Sequence, residues 1–219
     1  MQHPRTLKNI ISTIEAVADK DTALKCYEVH WSIINSREIG MVPQQRDRIY
    51  IVAIKLAGRA STTFAWPRPV APADLSDIYD EPDKVPVSYS RYPMRGLSAP
   101  TSRKNINDAI AKVRLVAQRE GKPAEALKAV VDIGSSRLNL GIGYSPCLTA
   151  SRCSARAFVN LQTAEKLTVT EMMRLQGFTT EDISAMKISL SNSRMAKMVG
   201  NAFTKSVPTC IIRAAFKSA

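Results

Sequence analysis

The sequence predicts an α/β fold that carries a small, irregular second lobe. Three observations support this: the opening reads as helix, strand, loop and strand, the middle is rich in proline, and the end returns to helical periodicity. With 219 residues and a 45% hydrophobic composition, the chain can bury a core, which argues against wholesale disorder. We expect residues 1–58 to form part of an α/β domain, residues 59–163 a linker and the lobe, and residues 164–219 closing helices.

The opening segment supplies the predicted α/β elements. Residues 5–19 carry apolar side chains at helical spacing, and residues 27–34, YEVHWSII, alternate as in a half-buried strand. Residues 48–55, RIYIVAIK, form a second predicted strand rich in β-branched residues, and the short connection makes the two strands antiparallel neighbours. The apolar positions of the helix and the first strand are Leu7, Ile10, Ile11, Ile14, Val17, Ala18, Tyr27, Val29, Trp31 and Ile33.

The remaining elements are predicted from the positions of proline, from helical periodicity and from a capping-box spacing. Seven of the twelve prolines lie between residues 67 and 100, which predicts an irregular connection, and residues 105–120 return to a helical period. Short strands and turns are expected over residues 128–136 and 143–159. Thr168 and Glu171 have the spacing of a capping box, and Pro208 would kink the closing helix unless that helix begins there.

Charge and composition limit the class of partner. The 31 Lys and Arg residues against 19 Asp and Glu residues give a net charge of +12, which favours nucleic acid as a polyanionic partner. A basic protein whose charge serves no ligand is the alternative. Four scattered cysteines fit neither a zinc site nor a disulfide framework, and His3 and His30 lack ligand partners at metal spacing, so we expect no metal and a reduced, intracellular protein.

No apolar window of ~18 residues exists, so we expect no membrane span. The first ten residues, MQHPRTLKNI, also lack the apolar stretch of a secretory signal.

The segment VPQQRDRIYIV, residues 42–52, places polar side chains just ahead of the second strand. In an extended chain, Gln44, Arg46 and Arg48 would share one face, with the two arginines roughly 7 Å apart. Guanidinium groups offer a rigid fork of donors for a carboxylate, a phosphate or a base carbonyl. Two surface arginines at a strand entrance are the simpler interpretation, and Gln44 in register favours a functional one.

Four segments resemble the C5-type cytosine DNA methyltransferases. Residues 27–52 resemble the segment with the Gln-x-Arg-x-Arg signature, and KLTVTEMMRLQGF, residues 166–178, resembles the Leu-Gln-Gly-Phe block. MVGNAFTKSVPTCII, residues 198–212, resembles the final Gly-Asn-Ala block, and SPCLTASR, residues 145–152, resembles the target recognition region. Their order and spacing imply part of a Rossmann-like methyltransferase sheet, namely its last strands and closing helices, with a target recognition lobe.

The resemblance also implies a reaction and residue roles. The reaction is methyl transfer from S-adenosylmethionine to cytosine C5 in DNA, in the nucleus of a eukaryote or otherwise in the cytoplasm or nucleoid. Arg48 corresponds to the arginine that reaches the flipped cytosine, Arg46 to the residue that holds the site together, and Gln44 to the first signature residue. Asn201 and Ala202 correspond to cofactor-contacting positions. Candidate DNA-recognition residues are Cys147, Leu148, Thr149 and Arg152.

Other family segments are missing from the sequence. No Pro-Cys-Gln nucleophile loop, Glu-Asn-Val segment or Gly-rich cofactor turn occurs. Pro146-Cys147 is followed by Leu148 and comes after the arginine signature, so we do not expect Cys147 to be the nucleophile. We therefore expect the C-terminal part of a methyltransferase that is inactive alone, either a truncated gene model or half of a split enzyme that needs a second chain with the N-terminal half. The alternatives are a non-catalytic nucleic-acid-binding module and the same fold acting on RNA cytosine.

Overall fold

A computed structural model describes residues 4–19, 23–56, 61–94 and 96–218 of the chain. Within those ranges the protein is a mixed α/β structure with two separate small sheets and eight α-helices, which confirms the predicted fold class. The helices are α1 (Pro4–Glu15), α2 (Ser36–Ile39), α3 (Pro100–Glu120), α4 (Ala150–Ser154), α5 (Val169–Leu175), α6 (Thr180–Ser189), α7 (Asn192–Asn201) and α8 (Ser206–Ser218). The strands are β1 (Tyr27–Asn35), β2 (Asp47–Lys55), β3 (Ala129–Asp132), β4 (Leu140–Ile142), β5 (Phe158–Asn160) and β6 (Glu165–Lys166).

The first sheet is the two-stranded hairpin of β1 and β2. The strands pair antiparallel, from Tyr27 opposite Lys55 to Asn35 opposite Asp47, as the sequence predicts. One face of this hairpin packs against α2 and α8, because its apolar side chains join those of the two helices in one cluster. The cluster comprises Ile34, Ile39, Val207 and Ile211, with Tyr50, Val52, Trp66 and Cys210 packed against it.

The apolar row that alternation predicts to be buried lies on the other face of the hairpin. Trp31 is 44% exposed and Ile33 is 49% exposed, while Ile34 beside them is buried. On α1 only Leu7 of the predicted apolar face is buried, and Ile10 is exposed. The strands are confirmed, but the prediction that this row is half-buried is wrong for Trp31 and Ile33. The physical reason is that α8 covers the opposite face of the hairpin.

The second sheet is more regular than the sequence predicts. Its strands lie in the order β4-β3-β5-β6, and every neighbouring pair is antiparallel. Helix α3 covers this sheet with Ile106, Ala109, Ile110 and Val113, which pack in one core with Val131 and Val159. The proline-rich stretch is irregular as predicted, with two short 3-10 turns at Leu75–Ile78 and Tyr89–Arg91.

Helices α4 to α7 form a third layer on the other side of β3. Their core includes Leu148, Cys153, Met172, Met195 and Val199 around Val130 and Phe158. The predicted capping box is present, because Thr168 Oγ1 accepts from the Glu171 amide while the Glu171 carboxylate accepts from the Thr168 amide. Helix α8 begins at Ser206, so Pro208 lies in its first turn, the position a helix tolerates.

Asp74 caps the first 3-10 turn and gives a pH-dependent prediction. Its carboxylate pairs with Lys128 and accepts from the Ser76 hydroxyl and amide, which lower its pKa to about 2. Since the folded pKa lies below the unfolded one, this stabilisation is full above about pH 4 and is lost as the pH falls towards 2. The side chain is 57% exposed, so solvent screening limits the effect to about 1 kcal/mol or less.

We expect Asp74→Asn to reduce the free energy of unfolding at pH 7 by that amount and to reduce it less at pH 2.5, where the stabilisation is partly lost. Urea unfolding at the two pH values measures the difference. Asp83→Asn, at an exposed position of the same loop, is the control. An equal loss at both pH values would contradict the assignment.

Candidate active site

The two signature arginines lie on the same side of the hairpin entrance. Arg46 directly precedes β2 and Arg48 is its second residue. Arg46 Nη1 lies 3.4 Å and Arg48 Nη2 lies 4.0 Å from the sulfur of Cys147. Both guanidinium groups therefore converge on one point, as the alternation of side chains in an extended chain predicts.

Arg46 is a buried structural centre. It is 4% exposed, and its guanidinium donates to the carbonyl oxygens of Leu148 at 2.5 Å, Ala202 at 2.8 Å and Gly200 at 3.3 Å. Burial lowers the pKa of Arg46 and the positive charge of Arg48 lowers it further, while Cys147 opposes these effects. Arginine nevertheless stays protonated in proteins, so the site holds a fixed positive charge that joins three chain segments.

Arg48 differs from Arg46 in its surroundings. It is half-exposed, and the hydrogen bonds described for it run to the carbonyl of its neighbour Asp47 at 2.6 Å and weakly to Cys147. A guanidinium has five N–H donors, so this side chain retains donors that can reach a ligand. Arg48 is thus the more exposed arginine of the pair.

Gln44 is fully buried beside the arginine pair. The backbone around Gln44 forms a parallel bridge with Ser145. The Ser145 amide donates to the Pro43 carbonyl at 2.7 Å, and the Gln45 backbone amide donates to the Ser145 carbonyl at 3.0 Å. Among the described residues, neither the oxygen nor the nitrogen of its side-chain amide has a hydrogen-bond partner. A buried, unpaired amide is costly by about 1–3 kcal/mol, so Gln44 is the part of the site that is left incomplete.

Asn201 and Ala202 lie at the end of α7, close to Arg46. Asn201 is exposed, and Ala202 caps the helix and accepts from Arg46. Both residues line a cavity of about 540 Å³ between α5, α6 and α7. The wall of this cavity is apolar, with cations at Arg194 and Lys197, and its other lining residues are Met173, Phe178, Met186, Leu190, Met195, Met198 and Val199.

The four candidate recognition residues separate into different environments. Cys147 is half-buried against the arginines, and Thr149 is exposed at the start of α4. Arg152 is half-exposed and pairs with Asp132, with 3.6 Å between Nε and Oδ2. The side chain of Leu148 is fully buried, so it contributes packing, and its carbonyl serves Arg46.

Gln176, in the Leu-Gln-Gly-Phe block, is a supporting residue that the sequence reasoning missed. It is fully buried, donates from Nε2 to the Val199 carbonyl at 3.0 Å and accepts from the Thr204 hydroxyl at 2.9 Å. These bonds hold the turn after α7 that carries Asn201 and Ala202. A polar glutamine directly after the apolar run of α5 and before Gly177 is the sequence signal that could have identified it.

Phe203 is a second residue that the sequence reasoning did not single out. It is 62% exposed, and its ring centroid lies 6.3 Å from that of Tyr50. Tyr50 follows Arg48 by two positions on β2, so the two side chains project from the same face of the hairpin. An aromatic surface thus adjoins the guanidinium pair.

The described residues were also compared with the requirements of a membrane span, a metal site and a reactive cysteine. Over the described ranges, no helix is long and apolar enough to cross a membrane, and no group of three or more His, Cys, Asp or Glu residues could hold a metal ion. Cys153 is fully buried, and burial raises the pKa of its thiol to about 12. That thiol is therefore inert at neutral pH.

The fold is that of a methyltransferase. The structure is similar to that of the Entamoeba histolytica methyltransferase EhMeth, with a TM-score of 0.52 and 13% sequence identity. The similarity covers 97% of this chain and 57% of that chain, so the protein spans little more than half the length of this neighbour. At this identity the likeness establishes the fold alone.

The family is established by sequence. The model of the C-5 cytosine-specific DNA methylase family matches residues 1–217, and the chain therefore belongs to that family. This is a family of S-adenosylmethionine-dependent enzymes that methylate cytosine in DNA. No curated protein matches the sequence.

Proposed function

We propose that this chain supplies the base-binding and DNA-recognition part of a DNA cytosine-5 methyltransferase. The observation that carries the proposal is the difference between the two arginines. Arg46 is buried and donates to three backbone carbonyls, whereas Arg48 is half-exposed and retains N–H donors that can bind a ligand. The net charge of +12 suits a DNA substrate.

The proposed role of Arg48 is to bind the edge of a cytosine rotated out of the helix. A base inside a duplex hides its ring atoms, so an enzyme that modifies it must extrude it and satisfy its edge with fixed donors. The carbonyl oxygen of cytosine accepts hydrogen bonds, and a guanidinium donates them in a planar fork. Arg46 would be a positioning residue, because its hydrogen bonds fix the backbone segments that carry Arg48, Cys147 and Asn201.

The cavity beside Asn201 fits part of S-adenosylmethionine. Its apolar wall suits an adenine ring, Asn201 offers a polar amide, and Arg194 or Lys197 could pair with the amino-acid carboxylate. The described lining contains no carboxylate to accept from the ribose hydroxyls. The cofactor would supply the methyl group, and this chain would hold one side of it.

We propose that the isolated chain is inactive and acts with a polypeptide that carries the rest of the site. The sequence lacks the Pro-Cys-Gln and Glu-Asn-Val segments, so it offers neither nucleophile nor acid at the expected place. In this form the protein would be the C-terminal part of the enzyme, acting wherever the cell keeps its DNA.

The test is methyl transfer from labelled S-adenosylmethionine to DNA. We expect no activity from the chain alone, and activity once it is co-expressed with a polypeptide from the same genome that contains Pro-Cys-Gln and Glu-Asn-Val. The DNA upstream of the Met1 codon is the first place to look. Activity of the chain alone would contradict the inactivity, and no activity in any combination would contradict the function.

Arg48→Ala should weaken the complemented enzyme about tenfold or more in kcat/KM, because one arginine-base contact is worth about 1–3 kcal/mol. The free energy of unfolding should change little, since Arg48 bonds only locally within the described chain. Arg37→Ala, which removes a half-exposed arginine stacked on Tyr144, is the control. An equal loss in both variants would show a general charge effect.

A non-catalytic nucleic-acid-binding module is the second candidate, and the net charge favours it. It predicts sequence-indifferent binding with steep salt dependence and no loss specific to Arg48→Ala. The assay above should also include RNA cytosine as a substrate, because the same fold could act on RNA.

A further inference from the structure

The hairpin of β1 and β2 leaves one apolar face bare. Trp31, Ile33 and Ile49 are 44%, 49% and 42% exposed, and Ile33 lies directly opposite Ile49 in the register. All three project from the face opposite Ile34, which packs against α8. We call this row of Trp31, Ile33 and Ile49 the bare face.

The bare face is not an ordinary solvent surface. Antiparallel sheets that face water on one side place polar residues on that side. In β1 this order is reversed, because the bare face carries every apolar residue of the strand except Ile34, and the face with Ile34 carries Glu28, His30 and Ser32. An isolated two-stranded hairpin is also marginally stable, and neither outer edge has a paired strand in the described part of the chain. Both features are typical of a sheet that is covered and extended by further structure.

The length of the chain relative to its structural neighbour indicates what covers the bare face. The chain spans 57% of the methyltransferase whose fold it shares, so that fold contains elements without a counterpart here. The four-stranded sheet and α3 share a core of their own, whereas the core of the hairpin lies on one face only, against α2 and α8. The missing elements are therefore needed at the hairpin.

We propose that the bare face is the docking surface for a polypeptide carrying the remaining α/β elements of the methylase fold. This inference rests on the proposed function and specifies where its two parts join. The partner would present an apolar surface that covers Trp31, and its strand would extend the hairpin at an open edge. Arg48 projects from the face opposite the bare face, so the partner would reach it around the open edge of β2.

The experiment uses the full chain and a tagged, co-expressed polypeptide from the same genome that carries Pro-Cys-Gln and Glu-Asn-Val. The test variant is Trp31→Lys with Ile33→Lys, and the matched control is Ile188→Lys, which charges an isoleucine that is 88% exposed on α6. Affinity is measured by titration calorimetry, and hydrogen exchange follows the amides of β1 and β2. Circular dichroism checks that each variant folds.

We expect the wild type and Ile188→Lys to bind equally, with slowed exchange in the hairpin, and the double variant to bind at least tenfold more weakly. Arg48→Ala should bind normally yet show the reduction of about tenfold or more in kcat/KM for methyl transfer, which separates docking from the reaction. Unchanged binding of the double variant would overturn the docking surface while leaving the proposed function intact, provided that methyl transfer is restored. Wild-type self-association that the double variant abolishes would assign the face to a second copy and overturn the proposal, as would no complex at all.

Discussion

Arg46→Ala should lower the free energy of unfolding by roughly 3–5 kcal/mol, because it breaks the centre of a buried charge-assisted network. Three carbonyls, those of Leu148, Gly200 and Ala202, would lose their donor, and the bonds to Leu148 and Gly200 are buried. Each bond from a charged donor contributes about 1.5–3 kcal/mol, and unsatisfied buried acceptors add to the loss. Urea unfolding followed by circular dichroism measures the change.

The matched control is Arg48→Ala, which removes the same charge two residues later. We expect this variant to lose less than about 1 kcal/mol, since surface positions without a buried network cost little. Arg46→Lys should fall between wild type and Arg46→Ala, because an ammonium cannot reproduce the planar fork. Equal unfolding free energies for Arg46→Ala and Arg48→Ala would contradict the structural role of Arg46.

Gly200→Ala should destabilise the protein by about 2–3 kcal/mol, although alanine is the better helix former. A Cβ at this position would lie 2.2 Å from the Ala150 nitrogen and 2.3 Å from the Thr149 carbonyl carbon. These are backbone atoms that no rotamer change can move, so α7 and α4 must separate. The overlap outweighs the propensity gain of about 1 kcal/mol.

Asn201→Ala, at the next position of the same helix, is the control for Gly200→Ala. Asn201 is exposed, so its replacement should change the unfolding free energy by about 0.5 kcal/mol or less. Thermal unfolding of both variants measures the comparison. A stable Gly200→Ala protein would show that α4 and α7 do not approach as closely as described.

Much of the fold could be predicted because local sequence patterns indicate where its strands and helices begin. β-branched alternation marked β1 and β2, and Thr168 with Glu171 marked the start of α5. The position of α4 was not predicted, since Ala150–Ser154 is a five-residue helix without a capping bond or an apolar period. Such a short helix is stabilised by its tertiary contacts with α7, which the local sequence does not encode.

The site was only partly predictable for a related reason. Alternation placed Arg46 and Arg48 on one side, but it could not distinguish their roles, because the partners of Arg46 are backbone carbonyls. Carbonyl oxygens are present at every residue and leave no mark in the sequence. The burial of Leu148 and the exposure of Trp31 were likewise set by which helices pack nearby.

The bonds of Arg46 have a consequence for the order in which the molecule folds. They join residues separated by 102, 154 and 156 positions, so they can form only after very long loops have closed. Closing such loops costs entropy before any contact compensates for it, and contacts of this range slow folding. The helices and hairpins should therefore assemble early, and the arginine centre should be among the last parts of the native state to appear.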